Sequence, residues 1–355
     1  MTDNLPPIYF YIPQDQLPDR QWLQSPDTYG EWQIAKRSHF IAQYDWTLQT
    51  YLHLKTNNFP CELIGEIPTE GIVISHRVFL KNSIQPTEKL LLACIQADSN
   101  RHPYSQIHIV QNPRQVAEKF SLWESYFIPH WTQSGLIPRD ASRGDKFENV
   151  AFFGTKSNLA PELQDSAWEQ QLTELGLHWH IKHTHEQWGD FSDVDVVLAV
   201  RRFDPKSSYD WKPANKLYNA WHAGVPAILG KESAFRAERK NQYDYLEVTS
   251  IEETIAALKK LKTQPEFRQA MINNGRERAK ETTYEEMVNK WSCLIENKIV
   301  PAYQRWCKTP KWQQQGFLKM RRAIDLKLQH LPNRTKQEYL AHTQNAKRMK
   351  EQGIF

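Results

Sequence analysis

Cysteine is scarce in this chain. Cys61, Cys94, Cys293 and Cys307 stand far apart and never as C-x-x-C, so neither a disulfide framework nor a zinc site is indicated, and a reduced, cytoplasmic setting is expected. No apolar run approaches the ~18 residues that a membrane-spanning helix needs. The opening stretch MTDNLPPIYFYIPQDQ has neither the basic start nor the apolar centre of a signal peptide. A soluble protein, or at most a peripheral one, is the expectation. G-x-G-x-x-G is missing, which counts against a dinucleotide dehydrogenase, and G-x-x-x-x-G-K-[ST] is missing, which counts against a P-loop enzyme. Low-complexity segments and fixed-period repeats are missing as well.

What is present is globular. The 355 residues are 40% hydrophobic and 24% charged, enough for two domains of ordinary size. The net charge of +4 is unevenly spread: residues 296–355 hold 13 Lys and Arg against 4 Asp and Glu. Such a tail reads as a solvated helix face, or as a contact with an anionic membrane or another acidic partner. With no recognition motif beside it, nucleic acid is not an expected partner.

Along the first half, IYFYI, CELIGEIP, GIVISHRVFL, LLLACIQAD and QIHIVQNP read as short strands, with an amphipathic helix over 45–58. The predicted result is a parallel sheet covered on both faces. Residues 128–145 carry two prolines, two glycines and small polar residues, so 131–145 is read as a linker. The alternation then restarts with NVAFFG, a helix over 166–176, LHWHIKH and DVDVVLAVR, the last nearly all apolar and therefore central.

The most informative stretch is KPANKLYNAWHAGVPAIL, residues 212–229. On a helical wheel Lys212, Asn215, Lys216 and Asn219 form one polar stripe, and Leu217, Ala220, Trp221 and Gly224 a separate apolar one. Pro213 suits a first turn and Gly224 an end. A stripe of donors starting at a helix N-terminus is where a phosphate would be held.

With NVAFFG, DVDVVLAVRRF, DYLEV, EETIAAL and PEFRQAMINNGRERAKETTYEEMVNKW around it, this stretch resembles the donor-binding half of a GT-B-fold glycosyltransferase of the group 1 type. The resemblance covers roughly residues 146–295; the first half matches only in the order of its strands and helices. It implies an α/β fold of two doubly wound Rossmann-like domains facing across a cleft. Residues 1–130 would form the acceptor domain, 146–295 the donor-nucleotide domain, and 296–355 a long helical tail packing back on the first. Ile299, Tyr303 and Trp306 have the helical spacing for that packing, leaving the basic residues within 308–327 to face an anionic membrane. The implied activity is transfer of a sugar from a nucleotide-diphosphate sugar to an acceptor hydroxyl of a glycan, lipid or protein, with no metal or other cofactor. One departure stands out. Where many retaining members carry two glutamates eight positions apart, this chain has Trp211 and Asn219. A binding or scaffold protein without turnover, or a sugar-nucleotide epimerase on the same fold, are the alternatives.

A leaving diphosphate must be stabilised as its charge grows, and without a metal that falls to cations and backbone N–H groups. The candidates are Lys216 and Arg201, then Arg202, Lys212 and Lys156, with Gly154 and Asn158 in the loop after the first strand of the second domain and Asn215 and Asn219 on the helix. Adjacent strand residues point to opposite faces, so one of Arg201 and Arg202 is expected to face the ligand. In the first domain His76 and Asp98 end successive strands; either can be the base toward an acceptor hydroxyl if the reaction inverts, or position the acceptor if it retains. Gln111 and Asn112, before Pro113, read as a turn. His178, His180, His183 and His185 read as an exposed strand edge rather than a metal site.

Overall fold

The computed structural model describes residues 5–35, 42–116, 124–204 and 209–330; the end of the basic tail, 331–355, lies outside them. Six strands form the first sheet: β1 (Ile8–Tyr11), β2 (Glu62–Ile64), β3 (Glu70–His76), β4 (Lys89–Ile95), β5 (Ile107–Val110) and β6 (Glu124–Phe127). Five form the second: β7 (Asn149–Phe153), β8 (His178–Lys182), β9 (Val196–Ala199), β10 (Ala227–Gly230) and β11 (Leu246–Val248). Every pairing is parallel, in the orders β2-β1-β3-β4-β5-β6 and β11-β10-β9-β7-β8. The two-domain parallel α/β architecture is the one expected, and β9 is central. β6 was not foreseen.

The period of two sorts the apolar residues of the first sheet. Ile8, Phe10, Ile72, Ile74, Leu91, Ala93, Ile107 and Ile109 face one side, while Val73, Leu90, Leu92 and Cys94 face the other. The helices that cover these faces come from distant parts of the chain. On the second side stands α1 (Pro26–Ala35), with Tyr29 and Trp32 buried there. α2 (Thr50–Thr56) continues a π-helical turn over Asp45–Gln49. Between β3 and β4, and again between β4 and β5, only loops connect parallel neighbours.

In the second domain α3 (Ser166–Glu174), α4 (Asn215–Ala223), α5 (Ser233–Glu238), α6 (Ile251–Thr263) and α7 (Pro265–Ala279) flank the sheet. The chain then returns to the first domain. α8 (Tyr284–Leu294), a π-helical turn over Ile295–Ile299 and α9 (Val300–Lys308) put Met287, Val288, Trp291, Leu294, Ile299 and Val300 into the first domain's core. The return therefore begins ahead of residue 295. Trp306 donates its indole N–H to the Thr87 carbonyl at 2.9 Å, so Ile299 and Trp306 pack as the spacing suggested.

The last helix, α10 (Lys311–His330), follows the same domain, with the Gln314 amide donating to Glu88 O and Trp306 O. Here one expectation changes: Arg321 is fully buried and stacks over Phe317, 4.7 Å from the ring centroid. It belongs to the packed side of the helix, not to a basic surface.

Candidate functional site

The C-terminal ends of both sheets meet, as ligand-binding ends do in open parallel sheets. From the first domain come His76 (end of β3), Asp98 (after β4), Gln111 and Asn112 (after β5) and His130 (after β6). From the second come Gly154 (after β7), Arg201 (after β9), the start of α4, and Glu232 between β10 and α5.

Three cations gather on the second-domain side. Arg201 is locked in place: its Nε lies 3.0 Å from Glu232, which is only 3% exposed, and its Nη1 donates to Asn158 Oδ1 at 2.5 Å. Lys212 Nζ crosses to the first domain and pairs with Asp98 at 2.5 Å. Lys216, in the first turn of α4, makes no hydrogen bond or ion pair among the described residues; its Nζ lies over Phe152, 5.5 Å from the ring centroid. Burial, then the Arg201 charge, push its pKa down to about 7; Lys212 adds to the fall, and Glu232 and Asp98 oppose it. This is a half-buried ammonium among like charges, a setting in which an anion is favoured.

Gly154 adds a backbone surface beside it. Its φ of +137° is one that L side chains avoid, and a Cβ there would stand 3.5 Å from Lys216 Nζ. Glycine keeps that approach open.

Two short buried amides hold the domains together here. Gln111 donates to the Trp211 carbonyl at 2.9 Å and also to Asp98. Asn112 donates to Lys212 O at 3.0 Å and Ser233 Oγ at 2.9 Å, while its own Oδ1 accepts from Arg114 N. Ala97 and Tyr209, neighbours of Asp98 and of the 211–212 segment, have φ of +47° and +52°. Backbone strain of this kind costs about 1 kcal/mol or more per residue, and it sits on both sides of the contact.

The acceptor-side histidines are complementary. Val78 N–H donates to His76 Nδ1 at 3.2 Å, so the neutral ring carries its proton on Nε2 and offers a donor. Burial drives its pKa down to about 3, against the pull of Asp98. A proton-accepting role does not fit that nitrogen arrangement; positioning does. His130 is the reverse case: Nδ1 lies 2.6 Å from the Trp131 carbonyl and must donate, leaving Nε2 as an acceptor. Burial lowers its pKa too.

Other expected residues stand apart from this cluster. Arg202 and Lys156 are exposed, so of the two adjacent arginines Arg201 alone faces the cleft. Lys212 precedes the helix, which opens at Asn215 after Ala214, and Pro213 lies outside the first turn. Asn215 is half-buried at that opening. Asn219 is buried, and its Oδ1 accepts from the Gln133 backbone N–H at 3.1 Å, which ties it to the interdomain segment rather than to the cations. Among the described residues no group of His, Cys, Asp and Glu could hold a metal ion. His180 Nε2 approaches Asn149 and His185 stacks on Trp188, so the four histidines of β8 and its neighbourhood do not converge. Sequence reasoning missed Glu232, Gln111, Asn112 and His130.

No protein-family description matches this sequence, and no curated protein matches it. Solved structures do show a likeness, at low identity. Sucrose-phosphate synthase from Thermosynechococcus elongatus is 13% identical over 65% of this chain and 74% of that one, with a TM-score of 0.45. HepE from Anabaena in complex with UDP is 11% identical over 82% of this chain and 100% of that one, TM-score 0.45. The pneumococcal O-GlcNAc transferase GtfA in complex with UDP and GlcNAc is 15% identical over 73% of this chain, which spans 60% of that one, TM-score 0.45. The likeness is one of fold. No helix among the described residues is long and apolar enough to cross a membrane.

Proposed function

We propose that the protein transfers a sugar from a nucleotide-diphosphate sugar to an acceptor hydroxyl, with cationic side chains taking the place of a metal. The observation that carries this reading is Lys216: a half-buried ammonium with no partner among the described residues, beside Arg201 and the open backbone at Gly154, at the end of a parallel sheet. Arg201 and Lys216 bind the diphosphate, with Asn158 holding Arg201 and the N-terminal turn of α4, from Asn215, adding N–H groups that have no helical carbonyl to bond. As the acceptor oxygen bonds to the sugar's anomeric carbon, the bond from that carbon to the phosphate oxygen breaks and the electron pair leaves with the nucleoside diphosphate. Lys216 and Arg201 stabilise the charge growing there. The acceptor proton passes to Asp98 if configuration inverts, or to the departing phosphate if it is retained; His76 orients the acceptor through its Nε2–H. Lys156 and Arg202, both exposed, serve as an outer cationic rim at most.

A specific observation favours one alternative, a binding protein on the same fold without turnover. Asn219 occupies the place of a carboxylate and is engaged by Gln133. Titration of the full chain with UDP, GDP and their sugars tests the donor reading. Saturable binding of one nucleotide, weakened in Lys216→Met, is the expected result; no binding of any would overturn it.

A further inference from the structure

The ion pair between Lys212 and Asp98 joins a residue of the donor cluster to the residue assigned to the acceptor, and its setting differs from that of its neighbour. Arg201–Glu232 is contained within the second domain, with both side chains enclosed. Lys212–Asp98 crosses between domains, and although the Lys212 side chain is as enclosed as that of Arg201, its carboxylate partner Asp98 is 41% exposed. When the lysine leaves, water can solvate the half-exposed Asp98 carboxylate, whereas opening Arg201–Glu232 would leave a buried, unpaired Glu232.

The main chain at Lys212 is fixed at the same time. Its N–H donates to Tyr209 O at 2.9 Å, its carbonyl accepts from Asn112, and the preceding carbonyl accepts from Gln111. Only the four-carbon stem is left to move the ammonium. Gln111 also donates to Asp98 Oδ1, the oxygen that Lys212 does not use, so the carboxylate keeps its orientation when the lysine departs. Lys212 is near enough to Lys216 for its charge to depress that lysine's titration.

We propose that Lys212 is a donor-sensing positioning residue: it pairs with Asp98 until a diphosphate arrives, then turns to the diphosphate and so presents Asp98 to the acceptor. This rests on the donor reading above. It makes binding ordered, donor before acceptor, and keeps Asp98 engaged by a cation whenever there is no donor to transfer from. The Gln111 and Asn112 amides are the fixed frame around the moving side chain.

The test is calorimetric titration of the full chain with UDP and with GDP, on wild type, Asp98→Asn, Lys212→Met and the double variant. Asp98→Ser is run beside them, and thermal melts verify folding. Removing the carboxylate's charge releases Lys212, so Asp98→Asn and Asp98→Ser are expected to bind the nucleoside diphosphate about 3- to 10-fold tighter. Lys212→Met is expected to bind more weakly, and in its background the Asp98 substitutions are expected to change nothing. Unchanged or weaker binding in the Asp98 variants, or the same gain with Lys212 absent, would overturn the proposal. Binding that depends on Lys216 but not on Asp98 would remove this inference and leave the donor reading standing; no binding in any protein would remove both.

Discussion

Replacing Lys216 by methionine should move stability and binding in opposite directions. The half-buried ammonium has its pKa lowered from an ordinary 10.5 to about 7, so the folded state disfavours the charge that the unfolded chain carries freely. Below pH 7 both states are protonated and the full penalty applies. Between pH 7 and about 10 the folded protein has released the proton and the unfolded chain has not, so stability rises with pH over that window. Allowing for partial solvent access, the penalty is about 1–3 kcal/mol. At about 2–4 °C per kcal/mol for a domain of this size, Lys216→Met should melt several degrees higher at pH 6, and the gain should shrink toward pH 10. Binding should go the other way. A diphosphate needs the charged form, so wild-type affinity for a nucleotide sugar should fall about tenfold from pH 6 to pH 8, and the variant should be weak and flat. A nucleotide sugar is the right probe because its phosphates do not titrate in that range. The paired assays are a melt and a titration at each pH. A variant that loses stability, or that binds the donor as wild type does, would refute the reasoning.

Arg201→Ala should behave differently from Lys216→Met, because it strands Glu232 in a buried site: a loss of about 3–5 kcal/mol is expected, and adding Glu232→Gln should restore most of it in a denaturant melt without restoring donor binding. The last helices give a surface prediction. Trp312 is 71% exposed, Met320 is exposed, and Lys308 and Lys319 stand beside them, a combination suited to the headgroup level of an anionic membrane. Flotation with vesicles containing phosphatidylglycerol should carry the protein upward, less so for Trp312→Ala with Lys319→Glu; flotation indifferent to acidic lipid would dismiss the idea.

The sequence carried the strands well where burial is two-sided. The runs that became β3, β4 and β9 are almost continuously apolar, and no other element suits such short runs between turns. β6 was illegible because Glu-Ser-Tyr-Phe has no such run and pairs on one side only. The 212–229 stretch was readable as loop, helix, turn and strand, and Gly224 does close α4 with a φ of +70°. Its polar stripe was only half right. A wheel gives angles about an axis, but what lies at each angle is set by the other domain and the interdomain segment: Lys216 meets the cations, Asn219 meets Gln133, and Lys212 precedes the helix altogether. Gln111 and Asn112 were read as a turn, and one atom bears that out, since Asn112 Oδ1 caps Arg114 N. Its amide nitrogen reaches the second domain, which local pattern cannot encode. Glu232 is a lone glutamate after a strand, and nothing but the fold brings it to Arg201.

The central claim is that this cleft breaks the bond between a sugar and a nucleotide, and the most direct measurement is release of nucleoside diphosphate. Each sugar nucleotide that binds would be incubated with wild type and with Lys216→Met, water serving as the acceptor where no better one is known. Slow release of nucleoside diphosphate and free sugar by wild type, abolished in the variant, is the predicted result. A donor that binds tightly through Lys216 and is recovered intact would contradict the account and leave a nucleotide-sugar binding protein in its place.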